Sequence, residues 1–175
     1  MSSKEVNIFI LKVGATLGLA FAVTIFIAHL RGVCHMPGDN VSWLNIIIFM
    51  FVVMSTGRQC RTDIYCDDFT YGKAYSYVTK LNVVSAVMLF VFGILYYGEI
   101  APDDLDEIIR QVEIMFADNT VWSSEQKELL MTSFKQALSP ASISFVMLTY
   151  QFVGYQLLGL LLANVIKTKR IIKMQ

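Results

Sequence analysis

Four stretches of the chain, at about 6–30, 41–56, 77–97 and 142–166, are almost continuously apolar. A helix needs about 20 predominantly apolar residues to cross the ~30 Å of hydrocarbon in a bilayer. Three of the stretches reach that length, and the second reaches it only with its polar flanks. The pattern predicts an all-α membrane protein, a single domain over residues 1–175 with four transmembrane helices.

The segment 98–141, between the third and fourth stretches, predicts two amphipathic helices. Pro102 and the acids that follow it suit the first turn of a helix. Ser123 and Gln126 have the spacing of a capping box that begins the second helix. Ser139 and Pro140 then open the last apolar stretch. Apolar residues at helical spacing are expected to form a hairpin seam: Leu105, Ile108, Ile109, Val112, Phe134 and Leu138.

What covers this helical insertion is left open by the sequence. The two helices could pack on each other as a hairpin or lie on the membrane surface. Acids outnumber bases in the segment, which disfavours adhesion to anionic lipid. The acids themselves are expected to be a solvated face and a helix cap, with a cation site or a docking surface for a basic partner as the alternatives.

Composition supports the membrane assignment and excludes other classes. Hydrophobic residues are 55% of the chain and the mean hydropathy is +0.56, which is too apolar for a soluble domain of this size. Lys plus Arg and Asp plus Glu are equal at 14 each, so the net charge gives no reason to expect a nucleic-acid partner.

The distribution of basic residues predicts that both termini are cytoplasmic. Lys and Arg near the ends of spans favour the cytoplasmic side of a membrane. With both termini inside, only Arg31, Arg110, Lys127 and Lys135 lie outside. The cytoplasmic side then carries Lys4, Arg58, Arg61, Lys73, Lys167, Lys169, Arg170 and Lys173. The insertion 98–141 becomes extracytoplasmic.

Lys12 and Lys80 fall just inside the predicted spans. A lysine at the centre of a bilayer is disfavoured by about 2.5–3.5 kcal/mol. Both residues are within two turns of the predicted cytoplasmic end, so their long side chains are expected to reach the interface. A charge on a transport path is the alternative.

Small residues recur at helical spacing on the first and fourth spans. Such residues let helix backbones approach closely inside a bilayer. They predict close helix packing, either within the chain or in a homo-oligomer: Gly14, Gly18, Ala22, Gly159 and Ala163.

The fourth span contains polar residues that predict either interhelical hydrogen bonds or a polar cleft: Gln151, Tyr155, Gln156 and Asn164. Gln151 and Tyr155 share a helix face, from which Gln151 could bond to Asn45 or Thr24. Such bonds contribute around 0.6 kcal/mol each.

Motifs for chemistry are missing from the sequence. There is no His-Glu-x-x-His, no glycine-rich phosphate loop and no pair of carboxylates inside a span. Cys60 and Cys66, in a C-x5-C arrangement with no nearby His, have poor spacing for zinc. We therefore expect no catalytic residue, no metal and no cofactor.

Several short motifs together resemble the domain of unknown function 4199 family, small membrane proteins of Bacteroidota. They are Phe69-Thr70-Tyr71-Gly72-Lys73-Ala74-Tyr75 before the third span, Tyr96-Tyr97 and Ile100-x-Pro102-Asp103 after it, and Ser139-Pro140 before the fourth. The resemblance implies a location in the bacterial inner membrane. It brings no known activity, so it assigns no functional residue. Genes of this family often lie beside glycosyltransferases that act on polyprenyl phosphates, which suggests a partner.

These observations predict a non-enzymatic accessory or scaffold subunit that positions a partner in the membrane, with a peripheral glycosyltransferase as the partner that the family suggests. The alternative is a small oligomeric transporter or lipid-handling protein whose polar cleft lies on the fourth span.

Overall fold

The computed structural model describes residues 3–32, 40–66, 68–118 and 122–167, and every regular element in these ranges is a helix. The elements are α1 (Ser3–Leu30), α2 (Asn40–Gln59), α3 (Tyr71–Leu95), α4 (Asp103–Asp118), α5 (Ser124–Ala137) and α6 (Pro140–Ile166). A π-helical turn continues α2 over Cys60–Ile64, and another continues α3 over Tyr96–Ile100.

Four of these helices are long and apolar enough to cross a membrane. With the π-helical turns included, the candidate spans are Glu5–Leu30, Val41–Ile64, Tyr71–Ile100 and Pro140–Ile166. The length and composition of these helices confirm the prediction of an all-helical, multi-pass membrane protein.

The second and third spans differ in length from the sequence prediction. The second continues to Ile64, where the sequence predicted an end near 56, and the third begins at Tyr71, where the sequence predicted 77. Gly57 lies in the extended part of α2 and lets it pack closely on α6, because a Cβ at that position would lie only 2.8 Å from the Ile166 side chain.

Helix α3 is central to the bundle and packs between α1 and α6, while α2 packs against α1 and α6. Helices α1 and α3 run in the same direction, since Gly14 lies against Val84 and Gly18 against Met88. Helix α6 runs in the opposite direction to α3, since its early residue Ser144 contacts the late residue Gly93.

The two ends of the bundle differ in charge. We call the end at which α1 and α3 begin the basic end. Its basic residues include Lys12, Arg58, Arg61, Lys73, Lys80 and Lys167. The opposite end carries α4 and α5, and the first turn of α4 contains three acids, Asp103, Asp104 and Asp106.

Helices α4 and α5 form an arm that is attached to the bundle mainly through α4. Ile108 of α4 is buried in the apolar core, whereas α5 buries none of its residues. The two helices are joined by an ion pair between Glu113 and Lys135 and by the Lys127 ammonium, which donates to the carbonyl of Ala117 at 3.0 Å.

Both helix starts that the sequence predicted from serine motifs are present. Ser123 and Gln126 form a reciprocal capping box at the start of α5. Ser139 caps α6 in the same way through Ser142, and Pro140 occupies the first turn. Two backbone N–H groups that would otherwise be unpaired are satisfied at each start.

Candidate functional site

The small residues of the first and fourth spans pack within the chain. A Cβ on Gly14 would lie 2.7 Å from Cβ of Val84, and a Cβ on Gly18 would lie 2.6 Å from Cβ of Met88. On α6, a Cβ on Gly159 would lie 2.8 Å from the Val78 side chain. Ala22 and Ala163 are also buried. These contacts bring α1 and α6 against two different faces of α3.

A cavity of about 40 Å³ lies between α1, α2, α3 and α6, and two of the predicted cleft residues, Gln151 and Tyr155, line it. The other lining residues are mostly apolar: Phe21, Ser42, Asn45, Ile46, Leu89, Met147 and Tyr150. Tyr155 is held by stacking on Phe49, with ring centroids 4.6 Å apart.

Gln151 has a hydrogen-bonding capacity that the protein leaves partly unused. Its Nε2 donates to Oγ of Ser85 at 3.4 Å, while its buried Oε1 has no partner. The bond to Asn45 or Thr24 considered from the sequence does not form, because Thr24 donates to Asn45 Oδ1 at 2.6 Å. An unpaired buried acceptor costs about 1–3 kcal/mol. The cavity is large enough for a water, which needs about 10–15 Å³.

The other two predicted cleft residues lie elsewhere. Gln156 faces α3, where its Nε2 donates to the hydroxyl of Tyr75 at 2.5 Å and to Oγ1 of Thr79 at 2.7 Å. Asn164 is exposed on the outside of the bundle. The structure therefore brings together Gln151 and Tyr155 only, and uses Gln156 as a bond between helices.

Two buried polar residues of α3 take part in this network without having been singled out from the sequence. Asn82 donates to the carbonyl of Phe152 at 3.1 Å, and Ser85 accepts from Gln151. Both have no exposed surface. The sequence could have indicated them, because two polar residues three positions apart share one face of an otherwise apolar helix.

The six predicted seam residues do not have equal burial. Ile108 is 3% exposed, and Leu105 and Leu138 pack against the bundle core. Ile109, Val112 and Phe134 are half-buried. Part of the predicted seam therefore anchors the arm to the membrane bundle.

A polar cluster fixes the start of α4 to the ends of α1 and α3. The hydroxyl of Tyr96 donates to Oδ2 of Asp104 at 2.6 Å, and Nδ1 of His29 lies 3.9 Å from the same oxygen. The His29 and Tyr96 rings meet edge to face, with centroids 5.6 Å apart. The cluster works with Ile108 to orient the arm.

Glu107 is held as a carboxylate on the surface of α4. Arg110 donates two hydrogen bonds of 2.7 Å to it, and these bonds, with one from Gln111, lower the pKa of Glu107 to about 2. The pair is exposed, so it contributes little to folding. Any contribution is present above the ordinary pKa of a carboxyl and is lost only as the pH falls toward 2.

Residues suited to metal chemistry do not cluster in the described ranges, where no three His, Cys, Asp or Glu side chains could hold an ion together. Cys60 is buried and Cys66 is exposed, and both are free thiols. Cys34, the third cysteine, lies outside the described residues.

No curated protein and no solved structure matches the chain. A family model described as "Protein of unknown function (DUF4199)" does match, over residues 12–168, which cover most of the first span, the other three spans and the arm. The match agrees with the resemblance carried by the motifs around the third and fourth spans. The chain therefore belongs to the DUF4199 family.

Proposed function

We propose that this protein is a non-enzymatic accessory subunit of the bacterial inner membrane, which positions a partner protein there. Both termini are cytoplasmic in this proposal, and the arm is extracytoplasmic. The excess of Lys and Arg at the basic end supports this orientation. Lys169, Arg170 and Lys173, which strengthen the asymmetry in the sequence, lie outside the described residues.

The observation that carries this proposal is the apolar surface of the arm. Helix α5 buries none of its residues, and Leu129 is 70% exposed on it. On α4, Met115 is 67% exposed and Ile114 is 48% exposed. A water-facing pair of helices with so little of its apolar surface covered is suited to a protein interface.

The basic end offers a second surface, suited to a peripheral enzyme in the cytoplasm. Arg58 is exposed at the end of α2. Lys167, after α6, lies over the ring of Tyr71, with its ammonium 5.9 Å from the centroid. A polyprenyl-phosphate glycosyltransferase is the partner class that the family resemblance suggests. A membrane subunit at that location would keep such an enzyme close to its lipid-linked substrate.

Replacing Leu129 with Asp tests the arm surface. The full-length protein is tagged and purified from its native membrane in mild detergent, and co-purifying proteins are quantified. We expect a specific partner with the wild type and at least a 10-fold loss with Leu129→Asp, which corresponds to about 1.4 kcal/mol of binding.

The matched control is Gln136→Asp, which adds the same charge to an exposed polar position of α5. It should retain the partner. The proposal is wrong if the native protein always migrates alone, and equal retention of partner by Leu129→Asp and Gln136→Asp would reject the arm as the docking surface.

A lipid-handling function is the second candidate, and the unpaired Oε1 of Gln151 favours it. Gln151 lines a cavity whose walls are mostly apolar, and this oxygen has no hydrogen-bond partner in the protein. A lipid that carries a hydroxyl could donate to this oxygen while its hydrocarbon contacts Phe21, Leu89 and Met147. Transport coupled to protons is less well supported, because no Asp or Glu lies within the apolar part of the spans.

Gln151→Leu separates this candidate from a purely structural role. If the cavity binds a lipid hydroxyl, mass spectrometry of the purified protein should detect a lipid with the wild type and lose it with Gln151→Leu. Gln156→Leu is the control, since it removes the bonds to Tyr75 and Thr79 without touching the cavity. If both variants change only the stability of the protein, Gln151 is a bond between helices and the candidate is rejected.

A further inference from the structure

A groove between α1 and α3 opens toward the surrounding bilayer near the basic end. Its volume is about 280 Å³, and Asn7, Ile10 and Leu11 of α1 line one side. Thr79, Lys80, Val83 and Val84 of α3 line the other. Leu11 is 58% exposed and Val83 is 43% exposed, so the groove has an apolar part. The polar residues Asn7 and Lys80 line the groove nearer the basic end.

The side chain of Lys80 is within reach of the membrane surface at the basic end. The span Tyr71–Ile100 has 30 residues, about 45 Å of helix, against about 30 Å of hydrocarbon. A centred span therefore leaves about 7 Å of helix at each end, and Lys80, about 13 Å from Tyr71, has its Cα about 6 Å inside the hydrocarbon boundary. Its side chain is long enough to reach the phosphates of that leaflet.

The ammonium of Lys80 needs a counter-charge that the described residues do not provide. Among the described residues, its side chain has no ion-pair or hydrogen-bond partner. The nearby hydroxyl of Thr79 already accepts from Gln156. Lys73, by contrast, is paired with Asp68. An unpaired cation above an apolar groove is complementary to a molecule with an anionic head and a hydrocarbon tail.

We propose that this groove binds one anionic phospholipid of the leaflet at the basic end. The phosphate lies on Lys80, and the Asn7 amide adds a hydrogen bond. One acyl chain follows the groove along Leu11 and Val83. Basic pockets between transmembrane helices bind anionic head groups in this manner. The site is distinct from the cavity at Gln151 and does not depend on the protein's partner.

Lipid binding to the full-length protein tests the proposal. Native mass spectrometry and thermal unfolding are measured in nanodiscs of phosphatidylcholine, with and without phosphatidylglycerol. We expect the wild type to select phosphatidylglycerol, and Lys80→Gln to lose about 5-fold in that selectivity. Lys80→Arg should keep it, and excess inorganic phosphate should not displace the lipid.

Lys12→Gln is the matched control, because Lys12 is an exposed lysine of α1 near the same end that does not line the groove. It should keep full selectivity, whereas Val83→Trp, which fills the groove without changing charge, should reduce it. Equal selectivity in the wild type and Lys80→Gln would overturn the proposal. Equal losses in Lys12→Gln and Lys80→Gln would also overturn it, since they would indicate a general attraction of lysines to the surface. If Lys80→Gln does not fold in phosphatidylcholine, the test rests on Val83→Trp. Unchanged selectivity of Val83→Trp for phosphatidylglycerol would then reject the site.

Discussion

Gly18→Leu is expected to separate α1 from α3 and to destabilise the whole bundle. A Cβ at this position would lie 2.6 Å from Cβ of Met88 and 3.0 Å from the backbone carbonyl oxygen of Ser85. Neither atom belongs to the free end of a flexible side chain, so one helix must move. Overpacking of this kind costs about 1–3 kcal/mol, and a shift of backbone adds to it. The free energy of unfolding, measured by titration with a denaturing detergent, should fall by at least this amount.

Gly154→Leu provides the control for this prediction. Gly154 lies on the fourth span, is exposed, and has nothing within 4 Å of a Cβ. The same substitution there should leave the free energy of unfolding nearly unchanged. Equal tolerance of Gly18→Leu and Gly154→Leu would show that α1 and α3 are not in close contact.

Ile108→Asp is expected to release the arm from the bundle. Ile108 is 3% exposed and packs in the apolar core with Tyr96 and Tyr97. Loss of its burial weakens the docking of the arm on the bundle by about 1.5–3 kcal/mol. The cost of desolvating the new carboxyl weakens it further. Trypsin should then cleave after Lys127 and Lys135 at least 10-fold faster, because cleavage follows the population of the open form.

Trypsin treatment of spheroplasts measures this release and the sidedness of the arm together. The control Ile114→Asp places the same charge on α4 at a position that is 48% exposed, and its cleavage should match the wild type. Cleavage of Ile108→Asp only after the membrane is permeabilised would contradict the extracytoplasmic arm. Resistance of Ile108→Asp in both conditions would contradict the docking of α4 through Ile108.

The sequence predicted the two serine caps and the four apolar helices because these depend on local residue types. It was less accurate at the ends of α2 and α3. Gly57 is compatible with a helix end and with a helix that packs closely, and only the neighbouring Ile166 distinguishes the two. Burial along α4 was similarly ambiguous. Ile108 and Ile109 fit the same stripe, yet only the docking angle of the arm decides which one is buried.

The sequence by itself determined the class of this protein, because long apolar runs and the positions of charges fix which segments can enter a bilayer. Tertiary structure decided which polar side chains meet. Gln151 and Gln156 look equivalent in the sequence, but successive residues of a helix point about 100° apart. Being five residues apart, they point about 140° apart, so Gln151 lines the cavity and donates to Ser85, whereas Gln156 donates to Tyr75 and Thr79. In the same way, Lys12 and Lys80 lie at similar depths, but the packing of α1 against α3 places only Lys80 in the lining of the groove.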